Sequence, residues 1–192
     1  GDHRDLHCFP TRRSSDLPNV AHGGMAFGTD PKVVEHLIAA LRPLTPLPLI
    51  VKLSPNVTDI AVIARAAEAG GADALSCINT LVGMKIDTST CRPCIARGTG
   101  GLSGPAIRPV GVACVYKASR AASIPVIGLG GISTHEDALE YLLAGAVAVQ
   151  VGTALFSDPQ APAHILSGIA SWMKEKGVTR VHDIRDLLLT NS

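Results

Sequence analysis

The stretch Pro125-Val126-Ile127-Gly128-Leu129-Gly130-Gly131-Ile132, answered by Ala146-Val147-Ala148-Val149-Gln150-Val151-Gly152-Thr153, decides how this chain folds. Each half is a short apolar run that reads as a buried strand. Each ends in glycines that leave backbone N–H groups bare. Backbone N–H groups at a strand end leading into a helix favour an anion. Two such turns in succession point to a phosphate. No lysine or arginine follows directly and no G-x-x-x-x-G-K-[ST] occurs. A monoester phosphate held mainly by backbone therefore fits better than a triphosphate with magnesium.

Working outward, helix and strand alternate from Asp30 onward. Asp30 and Pro31 make an N-cap and first turn for a helix through about Leu41. Pro48 to Leu53 is a short apolar strand. Thr58 or Asp59 opens a helix to Ala69, ended by Gly70-Gly71. Asp73 to Asn79 is the next strand, and Thr80 to about Ile107 is a long Gly/Thr/Ser/Pro-rich loop. Arg108 to Ser123 reads as a helix, and Thr134 caps another that runs to Ala144. Pro159 to Lys176 and Val181 to Leu189 are terminal helices. Near-continuous apolar strands alternating with helices predict a parallel sheet buried on both faces.

Two α/β architectures compete, a doubly wound sheet and a (β/α)8 barrel. The doubly wound sheet carries its glycine turn after the first strand. Here the glycine turns follow the last two strands, where a barrel places its phosphate site. Counting back, the strands at Pro125 and Val147 are the seventh and eighth, Asp73 begins the sixth, and Pro48 the fifth. A barrel takes about 250 residues, so the expectation is the C-terminal part of one, with the first strands missing. Residues 18–192 are assigned to that part. Residues 1–17 are polar and charged without strand alternation, and are read as a scar foreign to the protein; a natural disordered leader is the alternative.

Composition narrows the function. A net charge of +1 does not argue for nucleic acid or an anionic membrane. Aromatic residues are only 3%, too few for base-stacking platforms. The apolar stretch Tyr141 to Phe156 is shorter than the ~20 residues of a membrane span and is interrupted by Gly145, Gln150 and Gly152. With no signal peptide in view, a cytoplasmic location is expected. The five cysteines, Cys8, Cys77, Cys91, Cys94 and Cys114, form no disulfide framework. The lone Cys91-x-x-Cys94 supplies half of a structural zinc site. The histidines assemble no metal site, and His135 and His164 read as solvent-facing helix residues. No metal is expected.

Three further places carry chemistry. Lys52 lies inside the apolar strand Val51-Lys52-Leu53, where a buried cation needs a polar or anionic partner; a lysine snorkelling from the strand end is the alternative. Asn79-Thr80 ends the next strand with an amide and a hydroxyl suited to a planar heterocycle. Gly98 to Pro105 holds glycines that allow close backbone approach to a ligand.

These residues together resemble the class 1 dihydroorotate dehydrogenases, most closely the NAD-linked 1B catalytic subunit. The strings are Pro18-Asn19-Val20, Gly23 to Asp30, Val51-Lys52-Leu53-Ser54-Pro55-Asn56-Val57 and Ile78-Asn79-Thr80, then Thr99 to Ile107, Gly128 to Ser133 and Val149 to Ala154. The resemblance covers roughly Pro18 to Lys176. It implies a (β/α)8 barrel that binds flavin mononucleotide (FMN) and oxidises dihydroorotate to orotate in pyrimidine biosynthesis. It implies FMN contacts at Lys52, Ile78 and Gly104, with Gly130, Gly131, Gly152 and Thr153 at the phosphate. Asn19, Asn79 and Thr80 would bind the pyrimidine. A homodimer joined to an FAD- and iron–sulfur-containing electron-transfer subunit is implied as well.

One departure matters. The family pattern before Pro18-Asn19 is Asn-x-x-Cys, with the cysteine as base, whereas this chain has Ser14-Ser15-Asp16-Leu17. Leu17 cannot accept a proton. No intact catalytic base is therefore expected, and the alternative function is a non-catalytic flavin- or phosphate-binding fragment. Another phosphate-binding barrel enzyme is the third reading.

Overall fold

A computed structural model describes residues 27–189. Helix α1 (Pro31–Leu41) begins where the Asp30 carboxylate accepts the N–H groups of Lys32 and Val33. Such a cap is worth about 1 kcal/mol. Val34 and Ile38 recur at helical spacing and are buried against α2 (Ile60–Ala69). Asp59 caps α2 by accepting from the Ala61 N–H, which settles the choice between Thr58 and Asp59. Gly70 and Gly71, the latter at φ +95°, end it.

The central sheet contains β1 (Ile50–Leu53), β2 (Ala74–Cys77), β7 (Val126–Leu129) and β8 (Ala148–Gln150), all parallel, in the order β1-β2-β7-β8. The crossovers are α2, then α3 (Arg108–Ala121), then α4 (His135–Leu143), followed by α5 (Ala161–Lys176). This is an α/β fold with a parallel sheet. Leu53, Cys77, Gly128 and Val149 share a row across it. Their face packs on the helices through a core that includes Leu75, Val115, Ala118, Val126 and Tyr141.

Five expectations are corrected. The sheet is not buried throughout on both faces: among the described residues, Ile50, Lys52, Ala148 and Gln150 of the outer strands are exposed on the second face, where Ser76 of the inner strand β2 is buried. Lys52 is consequently exposed, not buried. It shares its row with Ser76, Ile127 and Ala148 on the open face, and Leu53, one residue on, takes the core position. Alternation along a strand imposes this; an apolar run does not reveal it.

The loop from Thr80 to Ile107 is not devoid of regular structure. It contains β3 (Leu81–Gly83) paired antiparallel with β6 (Gly100–Leu102), and β4 (Ile86–Asp87) paired with β5 (Arg92–Pro93). Ladders of two or three residues show no periodicity. The segment Val181–Leu187 is a 3-10 helix, not an α-helix. It has no side-chain cap, and its one buried residue is Ile184.

His135 is half-buried, because Gly168 of α5 leaves room for its ring; a Cβ at Gly168 would overlap the imidazole. His164 is exposed and bonds Asp158.

The stretch Tyr141 to Phe156 divides into the end of α4, strand β8 and a 3-10 turn at Thr153–Phe156. Among the described residues no helix is long and apolar enough to cross a membrane.

Candidate functional site

Parallel strands align their C-terminal ends along one edge of the sheet, which is where ligands sit in α/β proteins. Along β2-β7-β8 that edge presents Ile78-Asn79-Thr80, then Gly130-Gly131, then Gly152-Thr153, while Lys52 of the neighbouring β1 lies below the edge, on the open face in the row of Ser76, Ile127 and Ala148. These groups are far apart in sequence, and the sheet sets the three strand ends side by side.

The Gly130-Gly131 turn is held from three directions. Both glycines have positive φ, +126° and +72°. Downstream, the buried carboxylate of Asp137 accepts the N–H groups of Ser133 (2.8 Å) and Thr134 (2.9 Å), while Thr134 caps α4 in return. Arg108, at the start of α3, pairs with Asp137. The Gly104 loop packs directly against Gly131. The glycine turn and the glycine loop therefore meet. Among the described residues, neither Gly130 nor Gly131 donates its N–H within the protein. Gly152 and Thr153 stand exposed on the next strand, where Thr153 opens the 3-10 turn.

Asn79-Thr80 is braced by Asn56, in the loop after β1. The Asn56 amide nitrogen donates to the Thr80 carbonyl (2.9 Å) and its oxygen accepts the Val82 N–H (2.9 Å). Thr80 is wedged against Gly101. Asn79 is exposed, and its own N–H donates to the Leu53 carbonyl (2.9 Å). Ile78 is buried, with its side chain packed beneath Gly130. On the open face, Ser76 donates to the Gln150 amide oxygen (3.2 Å), and Ser76 is the register partner of Lys52.

Sequence reasoning missed the supporting residues Asn56 and Asp137. Asp137 carried a signal, the capping pattern Thr134-x-x-Asp137. Asn56 carried none, because its partners lie 24 and 26 positions away. Asn19 and Leu17 lie outside the described residues, as does Cys8.

The cysteines stay apart. Burial pushes the Cys77 thiol up to about 12, which keeps it protonated and inert. Cys91 and Cys94 are exposed beside the β4–β5 ladder. Among the described residues no group of three or more His, Cys, Asp or Glu is placed to hold a metal.

Comparison with known proteins identifies a family for the chain. Residues 14–173 match the family described as dihydroorotate dehydrogenase. The chain is 56% identical over 167 residues to the "Dihydroorotate dehydrogenase B (NAD(+)), catalytic subunit" of Pelobacter propionicus, covering 87% of this chain and 55% of that protein. It is 49% identical over 172 residues to the protein of that name in Listeria innocua, covering 90% and 57%. A "Putative dihydroorotate dehydrogenase A (fumarate)" of Solibacter usitatus is 52% identical over 183 residues, covering 95% and 60%. The crystal structure of a dihydroorotate dehydrogenase from Eimeria tenella, in complex with ferulenol, superposes with a TM-score of 0.70 at 25% identity, covering 85% of this chain and 50% of that one. The chain spans a little over half the length of the curated relatives it matches. Since the family match spans most of its length and relatives of that name are about half identical to it, this chain belongs to the dihydroorotate dehydrogenase family.

Proposed function

We propose that this chain carries the FMN- and pyrimidine-binding part of a (β/α)8 barrel that oxidises dihydroorotate to orotate. One observation carries it: adjacent strands end in Asn79-Thr80, Gly130-Gly131 and Gly152-Thr153 along a single edge, with Lys52 of the neighbouring β1 on the open face below that edge. The four strands then correspond to the fifth to eighth of the barrel, and the open sheet face is the side that would line its interior. The share of the relatives' length that the chain covers supports this.

The residues present fit a flavin phosphate. The undonated N–H groups of Gly130 and Gly131 and the Gly152-Thr153 turn supply neutral donors for a dianion. When bound, FMN supplies a hydride acceptor for the ring carbon being oxidised. Lys52, on the open face, contributes a positive charge beside the flavin ring. Ile78 and Gly104 border the ring through backbone. Asn79 and Thr80 hydrogen-bond the pyrimidine and fix its plane, with Asn19 assisting. The proton on the adjacent carbon requires a base, and Leu17 stands at the family's cysteine position.

That substitution favours a second reading of this particular chain: it binds FMN without turning over. The proposed setting is a cytoplasmic enzyme, a homodimer joined to an FAD- and iron–sulfur-containing electron-transfer subunit. Residues 1–17 are proposed to be foreign, with the barrel portion occupying 18–192.

The experiment is to titrate the purified chain with FMN by flavin fluorescence, then add dihydroorotate. Saturable FMN binding without bleaching of the flavin and without orotate is expected. No FMN binding would sink the flavin assignment. Orotate formation at the rate of a full-length relative would sink the inactive reading.

A further inference from the structure

Tyr141 of α4 is fully buried, the largest such side chain among the described residues. Its ring is accommodated by two glycines from neighbouring elements. A Cβ on Gly128 of β7 would stand 2.6 Å from the ring, and one on Gly111 of α3 would overlap the hydroxyl. The hydroxyl donates to the Gly130 carbonyl at 2.6 Å. Burial raises the pKa of the phenol, so it stays protonated and available as a donor.

The consequence follows from peptide geometry. The Gly130–Gly131 peptide is trans, so its C=O and N–H point in opposite directions. A hydrogen bond that holds the carbonyl toward the buried tyrosine holds the Gly131 N–H away from it. Gly131 makes no other use of that N–H among the described residues. At φ +126° and +72° these glycines have other backbone states open to them. An external restraint is therefore needed to select one peptide orientation. Packing alone would be met by phenylalanine, which fills nearly the same volume, so the hydroxyl has a separate role.

We propose that Tyr141 is a positioning residue for a phosphate monoester: its hydroxyl, bonded to the Gly130 carbonyl from beneath, aims the Gly131 N–H at the phosphoryl oxygens. This rests on the assignment of the edge to the FMN phosphate made above, and it adds the residue that orders the donor.

The test is Tyr141→Phe in this chain, titrated with FMN and with riboflavin, which lacks the phosphate. Loss of one ordering hydrogen bond is expected to weaken FMN binding about tenfold, with riboflavin affinity held within about twofold. Equal weakening of both ligands would show a structural role only and overturn the proposal, as would an unchanged preference for FMN. A wild-type chain that binds riboflavin as well as FMN would overturn the phosphate assignment itself, and the proposal with it. Should Tyr141→Phe fail to fold, the wild-type chain decides by NMR. The Gly131 amide proton is expected to move downfield with FMN and not with riboflavin, with the Tyr141 hydroxyl proton protected from exchange. A Gly131 amide that ignores FMN, or a rapidly exchanging hydroxyl, would overturn the proposal.

Discussion

The carbonyl oxygen of Gly104 lies 2.6 Å from the point where a Cβ on Gly131 would stand. No side chain fits between them, so the loop after β6 and the turn after β7 are in direct backbone contact. The Arg108 backbone nitrogen is 3.0 Å from the same point. Gly131 also has φ +72°, a conformation that disfavours side chains. Gly131→Ala is expected to cost about 1–3 kcal/mol, from backbone strain and the displaced Gly104 loop. Chemical denaturation would measure it. FMN titration of the same variant is expected to show weaker binding; an unchanged affinity would separate this turn from the phosphate.

Asn56 ties two loops together through both ends of its amide. Asn56→Ala leaves the Val82 N–H and the Thr80 carbonyl without that partner. The expected loss of stability is about 1–3 kcal/mol. The loosened strand end carries Asn79 and Thr80, so orotate affinity is expected to fall more than FMN affinity. Parallel titrations with the two ligands would check this, and a larger loss for FMN would contradict it.

Asp73 joins α1 to the entry of β1. It accepts the Leu49 N–H (2.6 Å) and pairs with Arg42 (2.5 Å), which also donates to the Thr45 and Leu47 carbonyls. The Leu49 hydrogen bond first, and then Arg42, hold its carboxyl below the usual carboxylate range. A depressed folded-state pKa means that the stabilisation is present above the unfolded value and disappears as pH falls through the folded one. Asp73→Asn is therefore expected to lower the melting temperature at neutral pH. The gap from wild type is expected to close as pH drops below about 4. A gap that stays constant with pH would contradict this role.

Ile184 is fully buried, although His182 and Arg185 of the same 3-10 helix are exposed. This segment packs on α4, the helix behind the Gly130-Gly131 turn. Ile184→Ala is expected to cost about 2–5 kcal/mol, the range for emptying a buried aliphatic site. Denaturant midpoints would measure it. A change under 0.5 kcal/mol, the size typical of a surface position, would show that the segment does not dock.

Much of the site was legible because glycines and caps act locally. Asp30, Asp59 and Thr134 announce helix starts through hydrogen bonds to residues two or three positions on. The turns at Gly130-Gly131 and Gly152-Thr153 follow apolar strands in plain view. The position of Lys52 in its strand is legible, but its exposure is not, since exposure depends on what lies over the strand's second face. Asn56 and Tyr141 were not legible in their roles. An asparagine in a Ser-Pro-Asn turn and a tyrosine on an apolar helix face look ordinary until distant backbone atoms come within 2.6–2.9 Å.

The sequence by itself determined the alternation of strands and helices, the parallel sheet, the two glycine turns and the family, because each rests on spacing or on contacts a few residues long. Tertiary structure alone decided which groups share the edge, since strand order β2-β7-β8 sets Asn79-Thr80 beside Gly130-Gly131 and Gly152-Thr153, and the register puts Lys52 in one row with Ala148 on the open face. It also decided that Gly104 touches Gly131, and that Tyr141 reaches Gly130 from below. Those relationships are set by packing density, in which a missing Cβ or a single hydroxyl determines how closely two backbones approach.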